Sequence, residues 1–71
     1  MAYELTVEEK QSIINNQLRN VAYRKYAYEV ELIVENAAAT PSAAKISELN
    51  AEITQCGSQI AALTTELESL S

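Results

Sequence analysis

The apolar positions in the second half of the chain, Ile46, Leu49, Ile53, Cys56, Ile60, Leu63, Leu67 and Leu70, fall at alternating spacings of three and four residues. A seam that recurs every ~3.5 residues belongs to a helix lying along another helix, because only that geometry keeps one stripe of side chains facing a neighbour over many turns. The first half carries a matching stripe. At about 100° per residue, Val7, Ile14, Leu18, Val21, Tyr28 and Leu32 gather on one side of a helix, with Ala22 and Ile33 at its border. In heptad terms Val7, Ile14, Val21 and Tyr28 take one seam position and Gln11, Leu18, Lys25 and Leu32 the other.

The boundaries of the two helices are written in capping chemistry. Thr6-Val7-Glu8-Glu9 fits a capping box in which the Thr6 hydroxyl accepts from the Glu9 amide while the Glu9 carboxylate reaches back, and two Glu in the first turn complement the positive end of the helix dipole. No Gly or Pro follows until Pro41, which stands after the run Ala37, Ala38, Ala39 and Thr40. Because Pro disfavours the helical conformation in the residue before it, this point reads as a turn rather than as the kink of one continuous rod. The pattern predicts a single all-α domain over 1–71: a helix over 7–38, a turn at 39–41 with Thr40 as N-cap and Pro41 opening the second helix, and a helix over 42–70. Folding the chain there gives an antiparallel coiled-coil hairpin whose seam is Ile14, Leu18, Val21, Tyr28, Leu32, Ile46, Leu49, Ile53, Cys56, Ile60, Leu63 and Leu67. In that arrangement Lys25 lies over Cys56 and Gly57, and Gly57, which weakens a helix interior by about 1 kcal/mol relative to Ala, is expected to mark a close approach of the two helices.

A second set of apolar residues on the first helix, Tyr23, Tyr26, Ala27, Val30 and Val34, points away from the seam. One neighbouring helix covers one face only, and a contiguous exposed apolar patch marks an interface more often than scattered exposed tyrosines do. These five residues are therefore the candidate protein-binding site. Arg19, Arg24 and Lys25 stand among the tyrosines, with Glu29, Glu31 and Glu35 following. That order fits ordinary pairing along a solvated helix, or an acid-rich surface on a partner or a second copy. The flanks of the second seam, Asn50, Gly57 and Thr64 on one side and Lys45, Glu52, Gln59 and Glu66 on the other, lack the opposed charges that select a solitary parallel dimer. A hairpin completed by oligomerisation or by docking into a larger helical assembly is the expected architecture.

Composition narrows the chemistry. Among 71 residues there is no His, Asp, Trp or Phe, and Cys56 is the one cysteine. No base and nucleophile, cofactor cradle or metal-ligand set is recognisable, so a non-enzymatic protein without cofactor or metal is expected. Ten Glu against five Lys plus Arg, a net charge of -5, disfavour a phosphate backbone as partner. Cys56 within the seam reads as a small buried hydrophobe, with an interchain disulfide as the alternative. Three Glu in residues 1–10 exclude a secretory signal there, and no run approaches the ~18 apolar residues of a membrane span. The expectation is a soluble protein bound to protein, not to nucleic acid or membrane. A chain this short buries only about 60% of its unfolded surface, which makes association the natural supplement to its core.

The stretch Tyr3-Glu4-Leu5-Thr6-Val7-Glu8-Glu9-Lys10, the later Ala22-Tyr23 and Tyr26, and the tail Glu66-Leu67-Glu68-Ser69-Leu70 resemble the short helical-hairpin proteins of unknown function from tailed phages of marine cyanobacteria. That resemblance implies an accessory protein located in a virion or in the cytoplasm of a host cell. It is either a structural component that self-associates or docks in a larger assembly, or an adaptor or inhibitor binding one host protein.

Overall fold

The structure, a computed structural model, describes residues 4–70. Two helices, α1 (Val7–Asn36) and α2 (Ala43–Ser69), form an all-helical hairpin. Tyr3 of the Tyr3–Lys10 stretch, and the two ends of the 1–71 span, lie outside the described residues.

The capping box forms as its residues dictate. The Glu9 amide donates to Thr6 Oγ1 at 3.1 Å and the Thr6 amide donates to Glu9 Oε1 at 2.9 Å, so two of the backbone donors left without helical acceptors are satisfied reciprocally. At its other end α1 stops at Asn36, two residues short of the sequence expectation. The Ala37 amide donates to Ile33 O at 3.1 Å and the Ala38 amide to Glu35 O at 3.2 Å, a last turn that tightens without any left-handed residue.

The turn corrects the expected start of α2. Ser42, not Thr40, is the N-cap: its backbone is extended and its hydroxyl accepts from the Lys45 amide at 3.3 Å. Pro41 stands outside the helix, immediately before the cap. The physical reason is a bracket across the connection, in which the Ser42 amide donates to Glu35 Oε1 at 3.0 Å. That carboxylate, carried on the last turn of α1, holds Ser42 in the cap conformation and fixes where the chain re-enters helix.

The molecule is a rod with extents of 59 × 23 × 14 Å and a radius of gyration of 16.7 Å, against the about 11 Å of a compact domain of this length. A rod of two helices has one seam and no further layer, so few side chains are enclosed. Val21 and Cys56 are the most buried at 4% and 3% exposure, joined by Ile14 and Leu49. The rest of the predicted seam, Leu18, Tyr28, Leu32, Ile46, Ile53, Ile60, Leu63 and Leu67, is half-buried. Ile14 shares a surface hollow with Glu66, and Val21 shares a groove with Gln59 and Leu63, which places the two helices antiparallel.

Three packing expectations are corrected. Val7 is 46% exposed rather than in the seam, because α2 ends at Ser69 and places no residue opposite it in that register. Ala22 and Ile33 are exposed, lying too far round α1 for a single neighbouring helix to reach. Gly57 marks no close approach: a Cβ built on it meets no atom within 4 Å, since the adjacent Cys56 takes the inward position and Gly57 faces open space.

Candidate docking surface

The side of α1 turned away from α2 carries the feature with most functional content. At about 100° per residue, Tyr23, Tyr26, Ala27, Val30 and Val34 centre almost opposite the seam, so the packing that buries Val21 necessarily turns these five outward. All five are exposed, Tyr23 to 77%, Tyr26 to 67% and Val34 to 65%. Ile33, which the sequence pattern assigns to the seam border, is 66% exposed and extends the same face. A hollow of about 350 Å³ lies in this face, walled by Tyr23, Tyr26 and Val30, with the small Ala27 among them and Glu31 at its rim.

Charges flank the face rather than interrupt it. Lys25 Nζ lies 3.7 Å from Glu29 Oε1, a half-exposed pair one turn apart on α1. Pairs of this kind contribute only about 0.3–0.5 kcal/mol. The Lys25 stem is half-buried, and its charged end is held by its own helix. Arg24 and Glu31 stand on the same flank of the outer face, and neither has an ion-pair partner among the described residues.

Two further features were not legible as sites in the sequence. Near the open end of the hairpin, Leu5 and Ile13 are exposed beside Lys10, Ile14 and Glu66 around a hollow of about 200 Å³. The signal was the pair Ile13-Ile14, since adjacent residues on a helix cannot both face one seam. On the side of the hairpin, a groove of about 370 Å³ is lined by Gln17, Val21, Arg24, Gln59, Ala62 and Leu63. Gln59 Oε1 is buried there without a hydrogen-bond donor.

Cys56 is a free thiol, enclosed by the hairpin and not presented to solvent, as a small apolar core residue would be. Among the described residues no group of three or more His, Cys, Asp or Glu could hold a metal ion. No helix among them is long and apolar enough to cross a membrane. No protein-family model, curated protein or solved structure matches the chain.

Proposed function

We propose that this chain is a non-enzymatic interaction protein, a helical hairpin that docks through the outer face of α1 as part of a larger protein assembly. The observation that carries the reading is the contiguous exposure of Tyr23, Tyr26, Val30, Ile33 and Val34 on the side of α1 that α2 does not cover. Each large apolar side chain left in water forgoes about 1.5–3 kcal/mol of burial, and a face that collects five of them is stabilised by being covered. Among the described residues the hairpin itself encloses four side chains, so an added layer also supplies the core that two helices alone lack. The resemblance to phage hairpin proteins implies a virion or the cytoplasm of a host cell as the setting.

The test separates the two faces. Leu18→Asp or Ile60→Asp puts a charge into the seam and should collapse helicity by circular dichroism. Tyr26→Asp or Val30→Asp should leave helicity intact while lowering the solution mass by light scattering, or abolishing capture of the bound protein by a tagged hairpin. Association that survives Tyr26→Asp and Val30→Asp overturns the reading. Equal loss of helicity at both sets would show one indivisible core in place of a seam and a docking face. The net charge of -5 supports, as a second reading, an adaptor steered electrostatically to a single basic host protein. A wild-type hairpin that is monomeric yet captures one protein through this face selects it.

A further inference from the structure

Resting on the reading of the outer face as a docking surface, the charge pattern beside that face identifies its occupant. We propose that it is covered by a second copy of this chain, α1 against α1 and antiparallel, about a two-fold axis passing midway between Ala27 and Val30.

Along the face, Asn20, Tyr23, Ala27, Val30, Val34 and Ala37 alternate at spacings of three and four and are all exposed. This is a second heptad seam, about 26 Å long at 1.5 Å per residue, and it lies almost opposite the first. Arg24 and Glu31 lie on one flank of it, seven residues apart; Arg19, Tyr26 and Ile33 lie on the other. In an antiparallel pair each flank meets the same flank of the other copy. The core layers are then Tyr23 on the second copy's Val34 and Ala27 on the second copy's Val30, each formed twice. On one flank Arg24 meets the second copy's Glu31 twice, and on the other Tyr26 packs on the second copy's Ile33 twice. Every strongly exposed apolar residue of α1 between Asn20 and Ala37 is covered, and two charges without partners in the hairpin become two ion pairs. Ala27, the small residue in the hollow between Tyr23, Tyr26 and Val30, leaves room for the opposing Val30.

The parallel arrangement fails on the same residues. Flanks then cross, so Arg19 meets the second copy's Arg24 twice and Tyr26 meets Glu31. A parallel pair repels where the antiparallel pair attracts. Because α2 occupies the far side of α1, the antiparallel dimer is a four-helix layer in the order α2, α1, α1, α2, closed by its two-fold symmetry.

Sedimentation equilibrium on wild type, Arg24→Glu, Glu31→Arg and the double variant tests this, with circular dichroism confirming equal helicity. Each single reversal creates two like-charge contacts and should weaken the dimer about tenfold, while the double variant restores both pairs with sign exchanged and should return to within about threefold of wild type. In a parallel dimer Arg24→Glu would convert the repulsion from Arg19 into attraction and tighten association; that result overturns the antiparallel assignment. So does a double variant no tighter than the single ones, but if Tyr26→Asp still dissociates the dimer, the docking face itself stands. A dimer indifferent to Tyr26→Asp overturns the face and this inference together. A wild-type chain still monomeric at about 100 µM overturns the second copy as occupant, and the face is then judged by capture with and without Tyr26→Asp.

Discussion

Gly57→Ala should stabilise the hairpin. Gly57 lies in the interior of α2 with an ordinary helical backbone, no positive φ, and open space where a methyl group would stand. The substitution therefore meets neither strain nor collision. What remains is the difference in backbone freedom of the unfolded chain, which makes Gly weaker than Ala in a helix interior by about 0.5–1 kcal/mol. For a chain of this size 1 kcal/mol moves the midpoint of thermal unfolding by about 4–8 °C, so a rise of about 2–8 °C is expected in a circular dichroism melt at fixed protein concentration. The concentration must be held because an associating hairpin melts higher when more concentrated. A fall in the midpoint would refute the reasoning, since it would mean that something approaches Gly57 closely in solution. If the fall grew with protein concentration, that neighbour would be another molecule, and the Gly57 side of α2 would be a second contact surface.

Three other substitutions probe the remaining elements. Leu49→Ala removes an enclosed side chain; the loss should be about 2–3 kcal/mol by denaturant titration, at the low end for a core leucine because a two-helix seam lets water into the space vacated. Thr6→Ala deletes the hydroxyl half of the capping box and should lower stability by about 1 kcal/mol, with hydrogen exchange speeding up in the first turn of α1 and not at the turn between the helices. Gln59→Leu removes a buried oxygen that has no donor and should raise stability by about 1 kcal/mol in the same titration, whereas a loss would show that a water or a second molecule satisfies that oxygen in solution.

The hairpin was legible because its information is periodic. A seam of three-and-four spacings, a Thr-x-x-Glu box and one proline suffice to set two helices and a reversal. What escaped depends on side chains acting across the fold. Ser42 displaced Thr40 as the cap because the Glu35 carboxylate reaches seven residues forward to the Ser42 amide, a long-range bond that local capping preferences do not contain. Val7 fell out of the seam because helix length, rather than apolarity, decides whether anything stands opposite it. Gly57 departs from expectation because smallness has two explanations, close approach or mere tolerance, and only the position of neighbouring atoms separates them. Tyr23, Tyr26, Ala27, Val30 and Val34 are exposed as their pattern expects, and Ile33, expected at the border of the seam stripe, is exposed with them. At the border between two apolar stripes, angle alone does not say which neighbour takes a side chain.

That ambiguity at Ile33 reflects how α1 is built. An amphipathic helix owes its stability to one apolar side packed and one polar side wet, but α1 carries apolar residues on two opposite sides between Val21 and Val34. With α2 on one of them, the hairpin has used its own means of covering α1. The stability of α1 is then tied to whatever covers the other, since a partner that binds only the folded hairpin stabilises it by mass action. If the partner is a second copy, folding and assembly draw on the same residues, and the midpoint of unfolding must climb with concentration. The dependence should vanish in Tyr26→Asp, which leaves the seam untouched, and persist in Thr6→Ala, which weakens the helix without touching the face. A wild-type midpoint independent of concentration, in a chain shown to be dimeric, would mean that the dimer survives unfolding of the hairpin and that the outer face is not where the two copies meet.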